Sequence, residues 1–155
     1  MFTASAKRVM SLQDPRLKMS KSHADPRSRI LLTDSPDEIN RKVMAALTDS
    51  TNSVSYEPDT RPGVSNLLQL LSYLDREGRS AESLGAEYSH LNLRLFKTMV
   101  SETIAASLST IQKRYSEVMR EHDGRYLDYV EMIGAQKARK SAEATMAIIR
   151  EVVGL

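Results

Sequence analysis

Apolar residues recur along this chain in two rhythms, and the rhythm changes near residue 34. Ahead of it lie two short β-prone runs, Arg8-Val9-Met10-Ser11-Leu12 and Arg29-Ile30-Leu31-Leu32-Thr33, with a polar, proline-punctuated loop between them. Beyond it the apolar positions follow helical spacing. Asp34 or Ser35 is placed to cap a helix, with Pro36 in its first turn and Asp37 and Glu38 against the positive end of its dipole. Ile39, Val43, Ala46 and Leu47 give that helix one inward face. Residues 48–63 form a connector broken by Pro58, Pro62 and Gly63. Val64, Leu67, Leu68, Leu71 and Leu74 then mark a second helix, which Gly78 stops, and Ser80 or Ser83 caps a short third one. A long helix follows from about Leu91 to Glu121, striped by Leu93, Phe96, Val100, Ile104, Leu108, Ile111, Tyr115 and Val118. Asp123-Gly124 is a turn, and a last helix spans about Arg125 to Val153. Its inward positions are Val130, Ile133, Ala138, Ala142, Thr145, Ile149 and Val152, and so short a turn predicts that the last two helices pack antiparallel.

Two short strands make no stable sheet of their own, so the first 33 residues read as the last strands of a larger α/β domain. Composition sets the class. With 41% hydrophobic and 27% charged residues the chain has enough apolar material to fold. It has no cysteine, which excludes disulfides, thiol nucleophiles and cysteine-ligated zinc. No apolar run approaches the roughly 20 residues that cross a bilayer, and MFTASAKR has no hydrophobic signal region. Three histidines, His23, His90 and His122, stand in no metal-ligand spacing. The net charge of +2 conceals an asymmetry. Residues 1–29 hold seven basic side chains (Lys7, Arg8, Arg16, Lys18, Lys21, Arg27, Arg29) against Asp14 and Asp25. A positive head on a slightly acidic body points to a local anion site.

The head contains Lys18-Met19-Ser20-Lys21-Ser22. Two ammonium groups three residues apart on a loop can reach neighbouring phosphates, while serine hydroxyls and loop N–H groups add hydrogen bonds. Met19 can tether the loop in an apolar pocket. The set suits a reaction in which pyrophosphate leaves, because lysines can neutralise the charge that builds on the departing group. On residue chemistry alone, phosphate handling stands beside a localisation patch, a phosphorylation site or a solvated loop. Neither G-x-x-x-x-G-K-[ST] nor G-x-G-x-x-G is present.

The run KMSKS is similar to the signature loop of class I aminoacyl-tRNA synthetases, and its flanks narrow the likeness. "AKRVMSLQDPRLKMSKSHADPRSRILLTDSPDEINRKV" resembles the corresponding region of bacterial- and mitochondrial-type tryptophanyl-tRNA synthetases. So do "TDSTNSVSYEPDTRPGVSNLLQLLS", Arg114-Tyr115 and Gly134-Ala135-Gln136-Lys137-Ala138-Arg139. The RPGVSNLL run separates this likeness from the tyrosyl sibling. The resemblance covers nearly the whole chain but only the C-terminal half of the enzyme, since no H-I-G-H signature occurs. It implies a mostly α fold. Residues 1–50 would be the end of a Rossmann-type catalytic domain with the KMSKS loop, 51–63 a connector, and 64–155 a helical anticodon-binding domain.

The same resemblance implies a tryptophan–tRNA ligase that uses ATP and Mg²⁺, with L-tryptophan and tRNA(Trp) as partners. Lys18 and Lys21 would be catalytic. Val9, Lys18, Met19, Ser20, Lys21 and Ser22 would bind ATP, Val9 through its backbone against the adenine. His23 stands where many bacterial members carry aspartate. The half present here is not expected to activate tryptophan by itself; a helical tRNA-binding or interaction module without catalysis is the alternative. Family members are homodimers through the catalytic domain. The expected location is the mitochondrial matrix, with bacterial cytoplasm the alternative. Arg94, Lys97, Lys113, Arg114, Lys137, Arg139 and Lys140 fall on expected outer faces, where each can meet a tRNA backbone or simply solvent.

Overall fold

The structure is a computed structural model that describes residues 8–154, apart from the side chains of His122 and Asp123. Lys7 of the basic head lies outside the described residues, as does most of the MFTASAKR stretch. The fold is mostly helical, in two compact units that meet between Thr110 and Ile111.

Helix α1 (Pro36–Met44) begins as its sequence dictates. Ser35 accepts the Glu38 N–H, the Glu38 carboxylate accepts the Ser35 N–H in return, and Pro36 occupies a first-turn position that needs no donor. The carboxyl of Glu38 is held below its usual range by these bonds to Ser35. Ile39 and Val43 are fully buried, and Ala46 follows them just past the helix end. Leu47 departs from the expected stripe: the helix has already stopped, and the Leu47 side chain is exposed. Its backbone is used instead. The Leu47 N–H donates to Leu12 O at 2.8 Å.

Helix α2 (Pro62–Leu74) is the centre of the first unit, with Gly63 through Leu68 all buried. It ends at Leu74, so Gly78, at φ 72°, lies in the turn beyond it. Gly63 is dictated by contact: a Cβ there would sit 2.1 Å from Leu47 O. Helix α3 (Ala81–Glu87) is capped by Ser80, which accepts the Ser83 N–H. Helix α4 (Leu93–Arg120) buries Phe96, Val100 and Ile104 against these elements. Removing a side chain of this size from water is worth about 1.5–3 kcal/mol.

The expected strands do not form. Among the described residues the only bridge joins Met10 to Lys18, and residues 29–33 are extended and turned without a ladder. The first run bonds to the base of the loop that follows it at Leu17 and Met19 and, through Leu12, to Ser28 O and Leu47 N–H, and these scattered bonds build no ladder. Helix α5 (Arg125–Val153) follows a 3-10 turn at Glu121–Gly124, in which Gly124 takes φ 85°, and it has no buried residue. Val130, Ile149 and Val152, expected inward, are exposed, and so are Ile111 and Tyr115 at the end of the α4 stripe. Along the α4 stripe Phe96, Val100 and Ile104 are buried, and Leu108 and Val118 are half-buried.

Candidate functional site

The head folds into a hairpin-like turn. Met19 N–H donates to Val9 O and Ser11 N–H to Leu17 O, each at 2.8 Å, so Met10 faces Lys18 across the pair. Asp14 closes the turn by accepting the N–H groups of Arg16, through its side chain, and of Leu17, through its carbonyl. Ser11 Oγ accepts the N–H groups of Gln13 and Asp14. Met19 packs against the main apolar core and so ties the loop down. Beyond it, Ser22 N–H donates to Ser20 Oγ at 3.3 Å, and Asp25 caps a 3-10 turn at Pro26–Ser28.

This arrangement surrounds an open cavity of about 650 Å³. It is lined by Arg8, Val9, Lys18, Met19, Ser20 and Lys21 and by Arg29 through Thr33. Of the six residues singled out in the sequence, only Ser22 is not on the lining. The wall of residues 29–33 was not foreseen as part of a site; its only signal was the apolar run ILL beside an arginine. Arg29 Nη1 donates to His23 O at 2.8 Å and to Asp25 O at 3.4 Å, which fixes the far end of the loop.

Electrostatics favour an anion. Neither Lys18 nor Lys21 makes an ion pair among the described residues. The acid of the loop is occupied elsewhere: Asp25 holds Arg27 through both carboxylate oxygens, and those bonds keep its carboxyl below the usual range. The ammonium groups of Lys18 and Lys21, the guanidinium groups of Arg8 and Arg29, the hydroxyls of Ser20 and Thr33 and the apolar side chains of Val9, Met19, Ile30, Leu31 and Leu32 therefore share one opening. Such a surface can hold a polyphosphate joined to a flat apolar group.

No carboxylate lines the cavity, and no His, Asp and Glu cluster that could hold a metal occurs among the described residues. The lining does not fit a protein-held Mg²⁺. His23 is exposed, and its Nδ1 accepts the Asp25 N–H. Among the cations expected outward, Arg94, Lys113, Arg114, Lys137, Arg139 and Lys140 are exposed. Lys97 is not: it is 8% exposed and donates from Nζ to Ala46 O at 2.8 Å and to Met44 O at 3.3 Å. No described helix is long and apolar enough to cross a membrane.

With this geometry in view, the comparisons with known proteins are specific. The family described as tRNA synthetases class I (W and Y) matches residues 1–109. A tryptophan–tRNA ligase of Listeria monocytogenes is 38% identical over 148 residues, 96% of this chain and 43% of its own length. A mitochondrial tryptophan–tRNA ligase of Dictyostelium discoideum is 35% identical over 150 residues, 97% of this chain and 39% of its own. The crystal structure of a tryptophanyl-tRNA synthetase from Mycoplasma pneumoniae superposes with a TM-score of 0.68 at 30% identity, covering 96% of this chain and 45% of that one. The chain thus spans less than half the length of the curated relatives it matches.

Proposed function

The chain belongs to the class I tRNA synthetases of the W and Y group, and on that footing we propose that it carries the C-terminal part of a tryptophan–tRNA ligase. In this reading the cavity takes the phosphates of ATP. The observation that carries it is the meeting of Lys18 and Lys21, both without an anionic partner among the described residues, on one cavity inside the segment that matches the family.

The chemistry follows from charge. A tryptophan carboxylate oxygen attacks the α-phosphorus of ATP, the bond from that phosphorus to the bridging oxygen breaks, and pyrophosphate leaves with the added negative charge. The nucleophile is already anionic and requires no base. What the protein supplies is position and positive charge where the leaving group develops it. Lys18 and Lys21 provide that charge on long stems that can follow the phosphates. The Val9 backbone and the apolar wall of Ile30 and Leu31 face the base, Met19 anchors the loop, and Ser20 adds a hydroxyl. Ser22, whose N–H bonds to Ser20 Oγ, completes the ATP loop in this reading. Mg²⁺ in such a reaction neutralises phosphate oxygens, and no residue of this lining is assigned to hold it. The activated tryptophan then passes to the 3′ end of tRNA(Trp). The exposed cations Arg94, Lys113, Arg114, Lys137, Arg139 and Lys140, within residues 64–155, are the groups that would meet its backbone.

The test is a titration of the 155-residue chain with ATP, followed by amide NMR. Shifts are expected at Val9 and Lys18 through Lys21. The Lys18→Ala/Lys21→Ala variant should weaken binding by about tenfold or more, the loss of two charge-assisted contacts. An undiminished affinity in that variant, or no shift in the loop of the wild type, would refute the reading.

A further inference from the structure

We infer that Asn66 is a positioning residue for the lysine loop, acting through the backbone of Met10 and Ser11; this rests on the nucleotide-site reading above. Asn66 lies in the second turn of α2, inside the RPGVSNLL run, and is 5% exposed. Its Nδ2 donates to Met10 O and to Ser11 O, each at 3.3 Å. Both acceptors are carbonyls, so only the NH₂ end of the carboxamide can face them. The contact spans 55 and 56 residues of sequence and reaches the strand-like segment that pairs with the loop.

The bonds around it show what the grip controls. Val9 O and Ser11 N–H are taken by Met19 N–H and Leu17 O, which sets the register opposite Lys18. Met10 O is left out of that pairing, and Asn66 takes it. One turn earlier, Gly63 lets α2 press on Leu47 O, while Leu47 N–H is bonded to Leu12 O. Arg61, at the start of the same helix, binds the Asp49 carboxylate twice at 3.0 Å together with Ser55 Oγ, Thr51 O and Ser53 O. The beginning of α2 is thereby fixed on the connector side by Arg61, against residue 47 by Gly63, and onto the loop base by Asn66. Of the three, only Asn66 bonds directly to the segment that pairs with Lys18. An isolated two-stranded turn is marginal in water, so its register depends on such an outside hold.

The experiment uses the full 155-residue chain and two variants, Asn66→Asp and Asn66→Ala. The first keeps the shape but sets a carboxylate against two carbonyls; the second removes the donor. Hydrogen exchange of single amides is read by NMR, together with ATP affinity from shifts at Lys18 and Lys21. In both variants the Ser11 and Met19 amides are expected to exchange at least about tenfold faster, the loss of roughly one hydrogen bond's worth of hold. The core amides of Val43 and Val100 should keep their wild-type rates, and ATP affinity should fall by a similar factor. Loop amides that stay protected overturn the inference whether or not ATP binds. Loss of protection at Val43 and Val100 in both variants also overturns it, since that is the mark of a merely structural residue. A wild-type chain without ATP-dependent shifts refutes the nucleotide reading instead, whatever Asn66 does.

Discussion

A lysine ammonium removed from water is costly unless its protons find acceptors, and Lys97 finds two. Its charge suggests an outer face, but it stands four residues after Leu93 and three before Val100, within the α4 stripe, so its stem turns inward and its Nζ meets Met44 O and Ala46 O. Those carbonyls belong to the end of α1, where the helix leaves acceptors without partners and its dipole is negative. A cation there satisfies the carbonyls and the dipole together, which offsets its desolvation. Burial still pushes the Lys97 ammonium below its ordinary range. Lys97→Met keeps the stem and removes the donors. In urea unfolding it should cost about 1–3 kcal/mol, the penalty for leaving buried carbonyls unpaired. An unchanged midpoint would mean that water replaces the ammonium without loss.

Between elements, the turn from α2 to α3 shows how charge fixes geometry. Arg79 donates to Asp75, the residue just past the end of α2, at 2.6 Å and to Glu87, the last residue of α3, at 2.9 Å, with Glu77 at 3.3 Å. The Arg79 bonds hold the Asp75 carboxyl well below the usual value of 3.8, at about 2. The native state therefore binds fewer protons than the unfolded chain between these two values. The contribution of the pair is complete above about pH 4 and is lost as the pH falls toward 2. Urea midpoints at pH 5, 3 and 2 should fall for the wild type, and Arg79→Ala should fall less steeply across the same window. Parallel slopes would remove Asp75 from the explanation.

The same scale shows what the sequence made legible. Ser35 with Glu38, Pro36, and Ser80 are local signals, each read within one turn of the helix it starts, and α1 and α3 begin where those residues direct. The long stripes of α4 and α5 are local too. Where a face goes is not local. The α4 stripe is covered only in part, α5 buries nothing, and the β-prone runs at 8–12 and 29–33 have no ladder to join. A strand is defined by its partner, and propensity carries no information about one. The lysine loop was legible from its residue types. Asn66, Arg29 and the acceptors of Lys97 were not, because each side chain acts on backbone that its sequence neighbourhood does not reveal.

For the whole molecule, a basic head is joined to a helical body, and the chain spans less than half the length of the ligases it resembles. The phosphate-handling claim is therefore tested most directly in a complete enzyme. Residues 1–155 would replace the matching segment of the Listeria monocytogenes ligase, and the hybrid would be assayed for tryptophan-dependent exchange of pyrophosphate into ATP. With both lysines in place the hybrid should exchange. With Lys18→Ala/Lys21→Ala the rate should drop by about 10²–10³-fold or more, the scale of lost transition-state charge stabilisation. A folded double variant that exchanges as fast as its parent would contradict the assignment of these two ammonium groups.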